Sequence, residues 1–221
     1  MRGVFEIVQA LGLPMPMGVL QVGANTGQEI DEFLRNGIRR AVLIEPLPGP
    51  YSVLEARCRE IPGYLPVQTL CGALDGEVVE FHVATNNGES SSILRPAKHL
   101  SDYPWVQFPS TLSMQTFTLD KIYAAVQHHH PEIAQDLDLL FMDVQGAELH
   151  VLKGANRALS MVRYIYTEVG LGGGYDGSVA LPDLIAYLRL YGFEIYELEM
   201  NAAGWGNAMF IKQGLFSAAQ T

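Results

Sequence analysis

A chain of 221 residues with 48% hydrophobic and 17% charged residues is long enough to bury a sizeable core, and its composition excludes general disorder. A formal net charge of −10 without a long basic run argues against broad contact with nucleic-acid phosphates, and no stretch reaches the roughly 18 apolar residues of a membrane span. The two cysteines, Cys58 and Cys71, match neither a metal spacing nor a disulfide framework, so buried free thiols in a reducing, cytoplasmic compartment are expected.

Residues 1–17 include the short apolar segment FEIVQALGLPMPM, which prolines interrupt. It reads as a leading helix rather than a signal peptide. GVLQVGA (18–24) reads as a buried strand. The helical run that follows, from about Gln28 to Asn36, places Ile30, Phe33 and Leu34 on one face and stops at Asn36-Gly37. AVLIEP (41–46) is a second strand, Pro50 to Glu60 a helix, and LPVQTLCGAL (65–74) a third strand. This βαβαβ order predicts a parallel sheet covered on both faces.

The middle of the chain is less regular. Asp75-Gly76 is a turn signal, and VVEFHVAT (78–85) alternates like a hairpin strand. Residues 86–116 are rich in Asn, Ser, Pro and aromatics and read as a long surface excursion, of a length usually functional or mobile. SMQTFTL (113–119) has strand character. A helix follows from Asp120, the expected cap, to about Gln127, before His128-His129-His130-Pro131 breaks it as a solvated loop. Trp105 and Phe108 either cover a substrate or pack the excursion down. His82 sits in a strand, and His150 reads as a helix-surface residue.

The βα alternation then resumes. DLLFMDVQG (138–146) is a strand, Ala147 to Leu159 a helix, RYIYTEV (163–169) a strand and LGGGYDGS (171–178) a glycine-rich loop. PDLIAYLRLYG (182–192) is an amphipathic helix. Two last strands, FEIYELEM (193–200) and NAMFIKQ (207–213), are joined by only six residues, NAAGWG. A parallel crossover needs about a dozen or more, so this pair is antiparallel. The fold class predicted is α/β, a doubly wound and mostly parallel sheet closed by an antiparallel C-terminal hairpin, with residues 1–221 forming one domain.

In open α/β sheets, ligands bind beyond the carboxyl ends of the strands. After the first strand stands Gly23-Ala24-Asn25-Thr26-Gly27, a glycine turn that lacks the third glycine of a dinucleotide fingerprint and the lysine of a P-loop. Glu45 ends the second strand 22 residues beyond Gly23, the spacing of an acid that accepts hydrogen bonds from a ribose diol. Asp143 interrupts a buried run at the next strand end, and Glu168 closes the fifth strand. Three acids on one rim suit a cation, a positively charged cofactor or removal of a proton from a hydroxyl. No ligand spacing demands a metal. Glu148 simply complements a helix dipole if it has no other task.

Taken together, VGANTGQ (22–28), IEPLP (44–48), CGALDGEVVEFHV (71–83), NNGESSSIL (86–94), TLD (118–120), DVQGAELHVLKGA (143–155), TEV (167–169) and the closing GFEIYEL and NAMFI resemble the FkbM-type S-adenosylmethionine-dependent methyltransferases, in family order over nearly the whole chain. The resemblance implies a Rossmann-like class I fold with seven strands. It implies that Gly23, Ala24, Asn25, Thr26 and Gly27 cradle the methionine and ribose parts of S-adenosylmethionine, that Glu45 with Pro46 takes the ribose, and that Cys71, Gly72 and Ala73 lie near the adenine. Asp143 would stand beside methyl donor and acceptor, and Asp143 or Glu168 would act as base. Glu168 and the 171–178 loop with Tyr175 would border the acceptor pocket, and Ser91, Ser92, Trp105 and Glu148 are further substrate-side candidates. One position departs from the family: Gln21 stands where an acid usually helps to hold the methionine end of the cofactor.

The chemistry implied is methylation of a hydroxyl on a small molecule, natural product or glycan, by a protein that forms no nucleic-acid complex and has the option of homo-oligomerisation. Transfer to an amine and cofactor binding without turnover are the alternatives. A nicotinamide oxidoreductase is disfavoured by the missing glycine.

Overall fold

The computed structural model describes residues 3–215. The leading helix is α1 (Val4–Ala10), which buries Val4, Phe5, Ile7 and Val8, with Phe5 edge-on to Phe33. β1 (Gly18–Val22) is buried along its whole length, and α2 (Ile30–Arg35) follows the glycine turn. Next come β2 (Arg40–Ile44), α3 (Pro48–Cys58) and β3 (Tyr64–Val67).

The third predicted strand divides in two. β3 stays in the main sheet beside β2, whereas β4 (Leu70–Cys71) leaves it and pairs with β6 (Ser110–Phe117). A Cβ on Gly72 would stand 2.8 Å from Thr116 Cβ, so this close approach requires glycine. β5 (Val78–Val83) does not form a local hairpin. It pairs antiparallel with β6, giving a separate sheet in the order β4-β6-β5, with the two-residue β4 parallel along the other edge of β6. The irregular excursion therefore ends at residue 109, where β6 begins, and it contains the short helix α4 (His99–Asp102).

α5 (Leu119–His129) runs two residues beyond the predicted end and precedes α6 (Pro131–Ala134). Its cap is Thr118, whose hydroxyl accepts from Lys121 N at 3.2 Å. Asp120 does a different job. Following β7 (Leu137–Met142), the helix predicted from Ala147 to Leu159 breaks into α7 (Glu148–Lys153) and α8 (Asn156–Met161), and the Asp120 carboxylate accepts from Arg157 N and Ala158 N at 2.9 Å to cap α8. The break at Gly154 brings the backbone so near Gly72 O that a Cβ would lie at 2.4 Å.

β8 (Tyr164–Gly170), α9 (Leu181–Arg189), β9 (Phe193–Met200) and β10 (Trp205–Lys212) complete the chain. The main sheet has seven strands in the order β3-β2-β1-β7-β8-β10-β9, with β10 antiparallel to both neighbours. This is the predicted doubly wound topology. Leu20 and Val22 face one core with Leu140, Val151 and Leu184, while Val19 faces the other with Phe33, Leu43 and Leu139. Strand order reverses between β1 and β7, so the crevice opens at their carboxyl ends. Both cysteines are buried and free, and no described helix is long and apolar enough to cross a membrane.

Candidate active site

The turn after β1 is tied to β2. Gly23 N and Ala24 N donate to Ile44 O at 3.0 and 2.9 Å, and Asn25 N donates to Glu45 Oε2 at 3.0 Å. Gly23 has φ +83°, and a Cβ there would sit 1.9 Å from Asp143 O. Gly27, at φ +80°, would drive a Cβ into Ile30 and Leu54. Both glycines thus answer to internal packing, with the turn pressed against the end of β7. Asn25 takes the left-handed conformation at φ +43°, with its amide donating to Asn87 O in the excursion.

In front of this turn lies a cleft of about 740 Å³, its open mouth included. Its lining combines apolar residues, Leu70, Cys71, Phe81, Ile93 and Val151, with Glu45 and Pro46 from the end of β2, Gly23, Asn25, Gln28 and Glu29 from the turn after β1, and Asp143 from the end of β7. Glu45 is buried and accepts from Asn25 N and Leu47 N. Burial pushes its carboxyl up to about 7, against the pull of those two backbone donors.

A second cleft, about 1140 Å³ with its mouth, shares Gln28, Glu29, Glu89 and Asp143 with the first. Its remaining walls include Asn86, Ser90, His99, Tyr103, Trp105, Gln145, Glu168, Asn201 and Trp205. Among the described residues, neither cleft is lined by a lysine or an arginine.

At the junction, Asp143, Gln145 and Glu168 form one unit. Gln145 Nε2 donates to Asp143 Oδ1 at 2.7 Å and to Glu168 Oε2 at 2.8 Å, while its Oε1 accepts from Tyr175 OH at 3.1 Å. Gln145 holds φ +54°, a strained conformation for a non-glycine residue, and Gly146 follows at φ +90°. Asp143 is exposed to the two clefts by surface area, yet the protein atoms crowded around its carboxyl still push it up to about 6 by desolvation. Glu168 is driven well above the carboxylate range by burial and by the charges of Asp143 and Glu148. The two carboxyls therefore resist ionising together, and of the pair it is Glu168 that is raised further. Asp143 faces the junction of the two clefts.

Of the residues proposed from the sequence for the cofactor, Gly23, Asn25, Glu45, Pro46, Cys71 and Asp143 line the first cleft. Ala24 is packed in the core, and Gly27 turns the chain beneath the cleft. Thr26, Gly72 and Ala73 stand outside its walls, as does Gln21, which donates to Glu29 from behind the wall. On the substrate side, Trp105 and Glu168 line the second cleft, whereas Ser91 lines the first. Three other candidates line neither cleft. Ser92 donates to Gln145 O, Tyr175 is fully buried with its hydroxyl donating to Ser90 O at 2.7 Å, and Glu148 accepts from Gly146 N behind the junction, where burial raises it to about 7.

The glycine-rich 171–178 loop contributes no wall residue to the second cleft. Its carbonyls at Gly173 and Gly174 accept from the backbone of residues 97–99, and Gly174 leaves room for the Trp205 indole, which a Cβ would meet at 1.9 Å. The loop thus holds the excursion and sets Trp205 in the wall.

Sequence reasoning missed Glu29, Gln145, His99 and Trp205. Only Gln145 carried a signal, its place beside Asp143 in DVQG. His99 is buried between Tyr103, Phe108 and Tyr175, and burial lowers its pKa, which keeps the ring neutral.

A doubly wound sheet closed by an antiparallel strand, with an apolar-to-acidic cleft at its switch point, defines the class as a Rossmann-like methyltransferase. The chain belongs to the FkbM methyltransferase family: residues 21–195 match the model described as Methyltransferase FkbM domain. It is 33% identical over 193 residues to the 2-O-methyltransferase NoeI of Sinorhizobium fredii, covering 83% of this chain and 75% of that one. A crystal structure of methyltransferase FkbM from Methylobacillus flagellatus superposes with a TM-score of 0.55 at 16% identity over 89% of this chain, which spans 43% of that one's length. An uncharacterized protein from Listeria monocytogenes shares the fold with a TM-score of 0.51 at 7% identity, over 96% of this chain and 69% of that one. The chain is therefore an S-adenosylmethionine-dependent methyltransferase.

The clefts fit that cofactor. The apolar slot suits an adenine, the Glu45 carboxylate a ribose diol, and the uniformly acidic junction a sulfonium.

Proposed function

We propose that this protein transfers a methyl group to a hydroxyl of a sugar or sugar-bearing small molecule, with Asp143 as the base. The observation that carries the reading is the junction, where the Asp143 carboxyl, tied through the Gln145 amide to Glu168, lies at the boundary between two clefts.

In this reading S-adenosylmethionine, bound in the first cleft by Leu70, Cys71, Glu45, Pro46, Gly23 and Asn25, supplies an electrophilic methyl group on a positively charged sulfur. The chain's own work is alignment and proton removal. Gln145 and Glu168 fix the Asp143 carboxylate, so that a hydroxyl entering from the second cleft meets an oxygen ready to accept its proton. Carboxylates around the junction and the absence of lining lysine or arginine favour a cationic donor over an anionic one. An amine acceptor would have less need of such a base.

The second cleft supports the sugar class. Tyr103, Trp105 and Trp205 give it aromatic surface, with Trp105 72% exposed. Such faces pack against the C–H face of a pyranose, while Asn86 and Asn201 offer amides to its hydroxyls. The relationship to a 2-O-methyltransferase agrees with a hydroxyl acceptor.

The test is a screen of methyl glycosides of common hexoses and pentoses, with phenols and amines as comparison sets, for release of S-adenosylhomocysteine. Turnover with glycosides is the expected result. Turnover with amines alone would overturn the base and the acceptor class together.

A further inference from the structure

Gln21 is 1% exposed, lies in the middle of the sheet, and sits on the strand that delivers the cofactor turn. Its Nε2 donates to Glu29 Oε2 at 2.9 Å, and its Oε1 is buried without a partner. A buried amide oxygen left unpaired lowers stability, so this side chain is kept in place at a cost. The return is the position of Glu29, the one carboxylate other than Asp143 and Glu89 that lines both clefts. Glu89 is held loosely by comparison, with a contact from Gln28 Nε2 at 3.5 Å. The charge of Glu29 also reaches Asp143, whose carboxyl it helps to raise.

An amino-acid end brings an ammonium group that needs an anionic partner, preferably one already fixed before binding. Resting on the methyltransferase reading, we infer that Glu29, oriented by Gln21, is the carboxylate that receives the α-ammonium of the cofactor. The negative charge that the resemblance leads one to expect on the strand at position 21 stands instead one turn later, at the head of α2. A carboxylate at position 21 would face Glu29 across 2.9 Å and repel it, so an uncharged donor there is the required complement.

The experiment uses the full chain and two ligands. S-adenosylhomocysteine carries the amino-acid end, and 5′-methylthioadenosine shares its thioadenosine part but lacks the ammonium. By calorimetric titration, Glu29→Gln weakens S-adenosylhomocysteine about 10- to 100-fold, as expected for a lost charge-assisted hydrogen bond, and leaves methylthioadenosine within about twofold. Gln21→Leu weakens S-adenosylhomocysteine by a smaller factor, and adds nothing when combined with Glu29→Gln. Unchanged methylthioadenosine affinity certifies that each variant is folded. Equal weakening of both ligands, no weakening of either, or full additivity of the two substitutions would overturn the assignment. A wild-type chain that binds neither ligand would instead overturn the cofactor reading on which the assignment rests.

Discussion

Lowering the pH from 7 to 5 reaches the reacting centre directly. The Asp143 carboxyl is held at about 6 by desolvation, with Gln145 pulling it down and the charge of Glu29 pushing it up. A base works only when ionised. At a midpoint of about 6, its ionised fraction is about nine-tenths at pH 7, half at pH 6 and one-tenth at pH 5. The apparent kcat/KM at subsaturating cofactor and acceptor, followed through S-adenosylhomocysteine release, should therefore fall about tenfold over that interval. Saturation with the positively charged cofactor favours the ionised form and moves the midpoint downward. Glu168, raised further than Asp143 by burial and by the charges of Asp143 and Glu148, is the poorer candidate for the base over that interval. Asp143→Asn should remove about 10²- to 10⁴-fold of the rate and flatten the acid limb, whereas Glu168→Gln, which keeps a donor beside Asp143, should stay within about tenfold of wild type. A flat wild-type profile between pH 5 and 8, or an acid limb that persists in Asp143→Asn, would refute Asp143 as the base.

Three further predictions follow from the supports of the site. Gly23→Ala combines a left-handed backbone with a Cβ that overlaps Asp143 O, and should cost about 2–5 kcal/mol in urea unfolding; a loss below about 1 kcal/mol would mean that the turn relaxes easily. Asp120→Ala should cost about 1 kcal/mol through loss of the α8 cap, while Asp120→Asn, which keeps an acceptor oxygen at the same reach, recovers most of it; equal losses in both would point away from capping. Glu45→Ala should weaken S-adenosylhomocysteine about 10- to 100-fold in calorimetry, since it removes both the ribose acceptor and the anchor of Asn25 N and Leu47 N; unchanged affinity would place the ribose elsewhere.

Much of the architecture was readable along the chain because periodicity and loop length are local quantities. Alternating strand and helix runs imply a parallel sheet, and the six residues of NAAGWG are too few for a crossover, so the antiparallel closure followed from chain reach alone. The position of the cleft followed as well, because Gly23, Glu45 and Asp143 come directly after strand ends and Glu168 lies inside β8 near its carboxyl end, and strand ends are ordered by sequence. Apolar pattern alone did not reveal that LPVQTLCGAL changes sheets after Val67, or that the strand opposite β5 lies beyond the excursion. Those pairings join residues far apart in sequence.

The roles within the site were decided by tertiary structure, for one physical reason: a carboxyl group's proton affinity depends on what surrounds it. Sequence offered Asp143 and Glu168 as equivalent bases, and only the fold shows that one Gln145 amide ties the two together and that Glu168 is raised further, by burial and by the charges of Asp143 and Glu148. Sequence presented Gln21 as a missing acid, while the fold sets Glu29 against it and restores a charge to the cleft. The glycines of the turn read as room for a ligand, and in the folded chain they are room for Asp143 O, Ile30 and Leu54. What the chain determined by itself was which strand ends carry charge; which charges meet, and how strongly they raise one another, required the sheet to bring β1, β7 and β8 side by side.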